Sequence, residues 1–468
     1  MAMSLTRSIA KNTAYLTIGK IISTVLGVIT IALLLRYLSP DDYGRYTTAI
    51  AFVLLLGTVT DFGLNLTTTA DISLPNTDTA KTLSSVFTFR LLANLALLGL
   101  LPFILNWFPY EPLVKQAILI LTVLFFSATL FQVLASYFQS TLEAGKVAIA
   151  DLAGKVVLLA LTAAAVVWRF SFNEIMLTIS LASLVQLWAL IRFLDKKIAL
   201  RFSFDWPTWR RIMAKTWPIA VSVVLTTIYF KGDTLILSLT RPYEDVGIYG
   251  AAYKILEVLI SLPILFMGLV LPPLARSFSE GDKTKFGRLL QKAWDGLCLF
   301  TLPMVAGTII LAKPIIALIA GPGYEPASGV LQILIVATGI IFLGSLFTHA
   351  VVAVNEQKPM IVYYLIAAIV AVALYIKFIP IYSYYAAAIT TVIAELLISL
   401  AAFYKVRKKA AFKLSLASFG KTLIASIFMA ATIYYLPAWP LVLLIPAGAA
   451  VYALVAWFIK AWPHSIHS

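Results

Sequence analysis

The sequence YFKGDTLILSLTRPYEDVGIYGAAYKILE, residues 229–257, contains the end of one apolar segment, a short polar turn and the start of another. Four ionisable side chains lie within the two segments: Lys231 and Asp233 in the first, Lys254 and Glu257 in the second. If both segments span a bilayer, each charge costs roughly 2.5–3.5 kcal/mol near a helix centre. Because such residues face a bundle interior or a wet cavity, the stretch predicts a buried polar site in a membrane protein.

Composition extends this interpretation to the whole chain. Of 468 residues, 61% are hydrophobic and only 12% are charged, whereas soluble domains are about 25% charged. The net charge of +15 is spread over particular loops, which indicates membrane topology rather than nucleic-acid binding. The single cysteine, Cys298, lies in an apolar segment and has no partner for an internal disulfide. The composition therefore predicts a polytopic membrane protein.

Fourteen apolar segments approach the ~20 residues that a membrane-spanning helix needs. They are continuous, unlike the ~10-residue alternating strands of a membrane barrel, so the predicted fold class is all-α. The first segment is too long for the apolar region of a cleaved signal peptide. The predicted spans are residues 9–36, 44–72, 82–106, 113–139, 147–168, 175–195, 216–239, 246–272, 289–312, 328–353, 359–379, 383–404, 417–436 and 440–460.

The distribution of lysine and arginine predicts the orientation. With the N-terminus in the cytoplasm, 24 of the 36 basic residues lie at inner ends and loops, 7 lie outside and 5 lie within spans. The positive-inside rule then places both termini in the cytoplasm of a multi-pass inner-membrane protein. Twelve spans with a variable C-terminal tail would keep the same alternation.

A short motif occurs twice. DYGRY at residues 42–46 and DVGIY at residues 245–249 each follow a proline, Pro40 or Pro242, and open an even-numbered span. Six spans per copy would give two parallel repeats, with the substrate site at their interface and rocking of the lobes for alternating access. The same residues could also serve simply as a turn and an interfacial anchor.

This repeat predicts two six-helix lobes around a central cavity, plus a C-terminal helix pair. The predicted boundaries are 1–198 for the N-terminal lobe, 199–214 for a basic linker, 215–410 for the C-terminal lobe and 411–468 for the extra pair. The linker mixes aromatic and basic residues, which favours a segment at the headgroup level; a solvated connection is the alternative.

Cations outnumber acids among the charges that we place deep in the bilayer. A cationic cavity would attract a phosphate or pyrophosphate group, which arginine grips bidentately and lysine binds as a point charge. The same side chains could instead hold neighbouring helices together. The candidate headgroup residues are Lys20, Arg90, Lys155, Lys231 and Lys254.

Three further groups complete the candidate site. Acids within spans are candidates for gating or for coupling to H⁺ or Na⁺, namely Asp61, Asp233, Glu257 and Glu395. Polar residues that share helix faces are candidates for the cavity lining, although interhelical hydrogen bonds would explain them equally: Asn65, Asn94, Gln132, Ser136 and Gln139. Pro263 lies within a span, where proline kinks a helix, and is a candidate hinge.

Enzymatic signatures are missing from the sequence. The nearest approach to a phosphate-binding loop, Gly420-Lys421-Thr422, has Ser415 where the motif needs glycine. No metal-ligand cluster or nucleophile–base motif is present. We therefore expect a transporter that uses no ATP, metal or other cofactor and that is driven by an ion gradient or a partner.

Several stretches resemble one family in order and spacing. They are LLLRYLSPDDYGRYTTAIAFVLLLGTVTDFGL, YFQSTLEAGK, YFKGDTLILSL followed by DVGIYGAAYKILE, GPGYEPASGVLQIL, and VNEQKP followed by IPIYSYYAAAITTVIAEL. With them the chain resembles the Wzx-like polysaccharide flippases of the multidrug/oligosaccharidyl-lipid/polysaccharide exporter superfamily, which handle O-antigen and capsule repeat units.

The resemblance implies a specific activity. It implies that undecaprenyl-pyrophosphate-linked oligosaccharide moves from the inner to the outer leaflet for surface polysaccharide and exopolysaccharide assembly. Implied partners are that lipid-linked substrate, membrane lipids and the polysaccharide polymerase machinery. The extra pair of spans is similar to that of lipid II flippases, where it helps to form a lipid groove. A lipid II-type precursor flippase and a cation-coupled multidrug exporter remain the alternatives.

Overall fold

The computed structural model describes residues 2–461 except 62–63, 73–77, 195–200 and 437–438; side chains at 2–17, 59–61, 65–67, 70, 215, 218 and 219 are also outside the description. The described residues form fourteen α-helices and no strand, which confirms the all-α prediction. Twelve of these helices are long and apolar enough to cross a membrane, so the chain is a multi-pass membrane protein. The helices are α1 Ala2–Tyr37, α2 Pro40–Asp61, α3 Leu64–Ile72, α4 Thr79–Asn106, α5 Pro112–Ser140, α6 Ala144–Val167, α7 Phe172–Arg192, α8 Trp206–Thr240, α9 Tyr243–Ser279, α10 Lys283–Ile319, α11 Ala327–Ala353, α12 Gln357–Ala410, α13 Ala417–Tyr435 and α14 Leu441–Phe458.

Helix α12 covers two of the predicted spans. Its 54 residues would reach ~80 Å as a straight helix, far beyond the ~30 Å of a hydrocarbon core. The helix breaks at Ser383, where φ is 50° and ψ is −136°. Glu356, before the first turn, lies 3.6 Å from Nζ of Lys405 and 3.5 Å from Nζ of Lys409 near the last turn. Since the two ends meet, α12 is a helical hairpin that provides both crossings.

The second predicted span, residues 44–72, is helical on both sides of a short gap in the description. Helix α2 reaches Asp61 and α3 begins at Leu64. Residues 62 and 63 lie outside the described part of the chain.

Residues 1–247 form one compact unit. Within it, α6 packs between α1 and α7, and α5 packs against α2, α4 and α7. Helix α8 packs against α2, α3 and α4. The core includes Leu83 of α4, Phe138 of α5, Leu190 of α7 and Ile212 of α8, each almost completely buried. One apolar cluster thereby joins helices far apart in the sequence.

Residues 248–468 form the second compact unit. One core packs Met267 of α9, Leu297 of α10, Leu346 of α11 and Val406 of α12. A separate core joins α10 to α13 and α14 and includes Met429. The extra helix pair thus has its own apolar interface with α10. The predicted lobe boundaries at 198, 214 and 410 remain predictions.

Short-range signals fix several helix ends. Ser171 and Glu174 form a capping box at the start of α7, which satisfies backbone N–H groups that lack a helical partner. Asp78, Asp205 and Asp282 cap α4, α8 and α10, each through a side-chain oxygen that accepts a backbone N–H three residues later. The negative charge of each carboxylate also interacts favourably with the positive N-terminal end of the helix dipole.

Candidate functional site

The two copies of the repeated motif lie against each other. Gly44 lies near the start of α2 and Gly247 near the start of α9. A Cβ on Gly44 would lie 1.7 Å from the carbonyl oxygen of Tyr243, and a Cβ on Gly247 would lie 1.9 Å from that of Pro40. Only glycine permits this backbone approach. The motif therefore marks a contact between two helix N-termini, a role that its sequence alone did not reveal.

An ion-pair network surrounds this contact. Arg45 forms salt bridges with Asp41, Asp42 and Glu111, the last at 3.1 Å from Nε to Oε2. Its guanidinium carbon also lies 5.4 Å from the centre of the Tyr243 ring. One arginine thus connects the first turn of α2 to residues next to α5 and at the start of α9.

Arg90 lies in the core of the first unit. Its side chain on α4 is fully buried, and Asn94 one turn later is also buried. Nδ2 of Asn94 donates to Oγ1 of Thr129 on α5 at 2.7 Å. Arg90 and Asn94 are four residues apart on α4 and therefore share a helix face. In this conformation a ligand in solution cannot reach the Arg90 guanidinium.

Lys20 and Lys155 lie on neighbouring helices. The Lys20 side chain on α1 is exposed and that of Lys155 on α6 is half-buried. The two helices pack closely, since a Cβ on Gly19 would lie 2.8 Å from Cβ of Ala148. The packing of α1 on α6 therefore brings together elements that carry two of the predicted headgroup cations.

Helix α8 carries Lys231 and Asp233. Lys231 is half-buried and Asp233 is fully buried. An oxygen of the Asp233 carboxylate accepts a hydrogen bond from Oγ1 of Thr234 at 3.0 Å. Elsewhere on α8, Thr227 contacts Thr58 of α2 at 3.3 Å between hydroxyl oxygens. The polar residues of α8 thus face packed surfaces and not only solvent.

In the second unit, Lys254 and Glu257 form an ion pair on α9. Nζ of Lys254 donates to Oε2 of Glu257 at 2.7 Å, and about a third of each side chain is exposed, 33% and 31%. Their spacing of three residues brings both side chains to one helix face. Glu395, in the second half of α12, is in contrast buried at 6% exposure.

The other predicted site residues are distributed as follows. Ser136 on α5 is buried, whereas Gln132 and Gln139 are exposed. Only two of the three polar side chains predicted on this helix are therefore accessible. Pro263 is buried within α9, which stays helical from Tyr243 to Ser279. The hinge function stays a prediction. The side chains of Asp61 and Asn65 fall outside the described residues.

An apolar pocket of about 460 Å³ lies between α10, α13 and α14. Gly307 on α10 and Ala449 and Ala453 on α14 leave room for it, and Tyr452 donates its hydroxyl to the Leu299 carbonyl at 2.8 Å beside it. The resemblance implied a lipid groove involving the last two spans. The contribution of α10 was not predicted, although the sequence shows a proline and a glycine, Pro303 and Gly307, within this apolar segment.

Comparison with known families gives two matches. The family described as "Polysaccharide biosynthesis protein" matches residues 9–278. The family described as "Lipid II flippase MurJ" matches residues 247–445. No curated protein sequence matches the chain.

Comparison with solved structures relates the fold to transporters. A lipid II flippase MurJ in an inward closed conformation has a TM-score of 0.81 at 18% identity, over 95% of this chain and 98% of that chain. An inward-facing MATE multidrug resistance transporter has a TM-score of 0.70 at 14% identity, over 83% and 94%. A transporter of the same superfamily from Pyrococcus furiosus has a TM-score of 0.57 at 14% identity, over 86% and 95%.

Proposed function

Because this chain belongs to the polysaccharide biosynthesis protein family, we propose that it is a flippase for lipid-linked oligosaccharide. Its substrate would be an undecaprenyl-pyrophosphate-linked repeat unit that moves from the cytoplasmic to the outer leaflet of the inner membrane by alternating access. The product would supply surface polysaccharide assembly of the O-antigen, capsule or exopolysaccharide type. The family match, which covers residues 9–278, is the observation that carries this proposal.

The headgroup site would use the accessible cations. Lys20 is exposed, and Lys155, Lys231 and Lys254 are half-buried, so each can offer an ammonium to a pyrophosphate. A pyrophosphate would bind as a further anion, which lysine attracts as a point charge. Arg90, which is buried in this conformation, would contact the headgroup only after α4 or α5 moves.

The lipid chain would use the apolar pocket of α10, α13 and α14. A volume of about 460 Å³ accommodates a few isoprene units of a long polyprenol. The remainder would stay among the lipid tails, which are equally apolar. Division of the substrate between a cationic site and an apolar groove fits a molecule with a charged head and a hydrocarbon tail.

Transport would need a driving force. Asp61, Asp233, Glu257 and Glu395 are candidates for binding H⁺ or Na⁺, and the side chains of Asp233 and Glu395 are buried. Polysaccharide polymerase machinery is the proposed partner that removes the product. The description of the second matching family as flippases supports a transporter that makes no covalent change.

A lipid II-type precursor flippase is the second candidate. The MurJ family match over residues 247–445 and the α13–α14 pair favour it. A multidrug exporter is favoured only by fold similarity, and the cation excess within the spans argues against a cationic drug. The second candidate predicts that lipid II competes with the oligosaccharide lipid for binding, whereas the third predicts stabilisation by organic cations.

The test is native mass spectrometry of the purified chain with a pyrophosphate-linked lipid oligosaccharide. We expect bound lipid with the wild type and at least a tenfold loss with Lys20→Gln/Lys231→Gln, since two point charges to a phosphate are removed. Lys358→Gln, an exposed residue in the first turn of α12, is the control and keeps the lipid. Equal binding by all three proteins, or absence of lipid binding, would refute the headgroup site.

A further inference from the structure

The described part of the basic linker, residues 201–205, runs along the start of α4. The backbone N–H of Arg201 donates to Oγ of Ser84 at 3.4 Å, and that of Ser203 donates to Oγ1 of Thr88 at 3.0 Å. Alternate residues of this extended segment are therefore held against α4.

Three further contacts fix the linker where it enters α8. Nζ of Lys81 lies 2.8 Å from Oδ2 of Asp205. The indole Nε1 of Trp209 donates to the carbonyl oxygen of Ser85 at 3.0 Å, and its ring packs edge-on against Phe89 with centroids 5.4 Å apart. The linker is consequently a shaped surface attached to α4 and not a loose connection.

The outward side of this segment is both aromatic and basic. Phe202, Phe204 and Trp206 are 74%, 73% and 70% exposed. Arg201 and Arg210 beside them are also exposed. We call these five residues the linker surface.

We propose that the linker surface binds the headgroups of anionic phospholipids in the cytoplasmic leaflet. Aromatic side chains are enriched at headgroup depth, and basic residues beside a membrane are attracted to anionic lipids. Arginine also binds phosphate with two parallel hydrogen bonds. The positive-inside pattern predicts the cytoplasmic side for this connection, where seven basic residues lie between 192 and 215.

The combination of features separates this surface from the other basic segments. Arg288 and Lys292 on α10 are exposed and also lie on the predicted cytoplasmic side, but their neighbours along the helix face include no exposed aromatic side chain. The linker surface presents three aromatic rings next to its arginines on a backbone that is held in place. This inference is independent of the flippase proposal, because lipid binding is measured without transport.

Photocrosslinking tests the site directly. Benzoylphenylalanine replaces Phe204 in the full-length chain, which is placed in vesicles of about one part phosphatidylglycerol to four parts phosphatidylcholine. We expect phosphatidylglycerol adducts in clear excess over the share of that lipid in the vesicle. Arg201→Gln/Arg210→Gln lowers the ratio of phosphatidylglycerol to phosphatidylcholine adducts toward the bulk ratio, by at most about 25-fold, since each basic residue near a membrane contributes about fivefold.

The control removes the same charge elsewhere. Arg288→Gln/Lys292→Gln keeps the phosphatidylglycerol excess at position 204, and high salt lowers the excess in the wild type because the attraction is screened. Adducts in the bulk lipid ratio for the wild type would overturn the proposal. Equal loss with the control pair would also overturn it, because net charge alone would then explain the binding. All substituted side chains are exposed, and size-exclusion chromatography confirms that each variant is folded.

Discussion

At the scale of single residues, the structure separates charges that the sequence could not distinguish. Lys20, Lys231 and Arg90 all lie within apolar segments, yet they are exposed, half-buried and fully buried respectively. Hydropathy reports only that a charge lies in a span. The helix face it occupies, and the neighbour opposite, decide whether a substrate can reach it.

Gly44→Ala tests the contact between the repeated motifs. The new Cβ would meet the Tyr243 carbonyl at 1.7 Å, so the helix N-termini must separate, and overpacking of this kind costs about 1–3 kcal/mol. We expect a lower thermal unfolding temperature in detergent. Gly99→Ala is the control, because no atom lies within 4 Å of its Cβ and alanine favours a helix by about 1 kcal/mol. An unchanged Gly44→Ala protein would contradict the close contact.

A double-mutant cycle tests the ion pair of α9. Lys254→Gln and Glu257→Gln each remove the 2.7 Å contact, and partly exposed pairs contribute about 0.2–1 kcal/mol. If Lys254 contacts the headgroup, Lys254→Gln weakens lipid binding and Glu257→Gln does not, since it leaves the cation available. Similar lipid affinity in both single variants and the double variant would assign the pair to structure alone. Thermal unfolding and native mass spectrometry measure the two properties separately.

At the scale of elements, polar contacts hold the segments that connect helices in fixed positions. The linker is held on α4, and the segment after α12 is held on α10, where Oε1 of Gln291 accepts the backbone N–H of Ser415 at 2.8 Å and Nε2 donates to its carbonyl at 3.1 Å. Both are contacts between a polar side chain and a distant backbone. Such pairs have no periodicity, so sequence patterns do not predict them.

The Asp205 cap gives the start of α8 an acid-dependent stability. A hydrogen bond from Lys81, and others from Thr208, lower the pKa of Asp205 below its ordinary value of 3.8. Because the folded pKa is depressed, the contribution is present above pH 3.8 and is lost as the pH falls through the lower folded value. Asp205→Asn should therefore be less stable than the wild type at pH 7, with the difference shrinking in acid. A constant difference from pH 7 to pH 3 would exclude this linkage.

Ser383 sits at the break of the α12 hairpin in a conformation that disfavours side chains. With φ of 50° and ψ of −136°, a non-glycine residue here costs of order 1–3 kcal/mol. Ser383→Gly should raise the unfolding temperature, and Ser383→Val should lower it because β-branched residues tolerate this region least. Ser399→Gly, in the regular second half of α12, is the control and should be destabilising. A destabilised Ser383→Gly protein would contradict the assigned turn.

At the scale of the whole molecule, two protein families match different parts of the chain. Its first part matches the polysaccharide biosynthesis family and a later part matches the MurJ family. The α13–α14 pair is attached to α10 through a core of its own. The proposed site of the lipid chain is the pocket at that attachment.

Gly307→Leu tests whether the pocket holds the lipid chain. A Cβ at Gly307 already lies 3.4 Å from Cε of Met429, so a leucine side chain would occupy the space. We expect weaker binding of a polyprenyl-linked substrate, by about tenfold for the loss of one or two buried isoprene contacts, with binding of a short-chain analogue unchanged. Gly99→Leu is the control. Equal affinity of both variants for the long lipid would exclude the pocket.

The sequence by itself determined the class, most of the spans and the family of this protein. Continuous apolar runs leave no alternative to membrane helices, because lipid cannot hydrogen-bond an open backbone, and these runs predicted even the two crossings within α12. Spacing of three residues sufficed for Lys254 and Glu257, because a helix brings such neighbours together.

Only the tertiary structure decided the burial of Arg90, the glycine contact between α2 and α9, and the pocket of α10, α13 and α14. Each depends on atoms from segments distant along the chain. Hydrophobic attraction is non-directional, so an apolar pattern determines that a helix is in the membrane but not which face meets which neighbour. That choice is made by close packing and by individual polar contacts, which exist only once the helices are assembled.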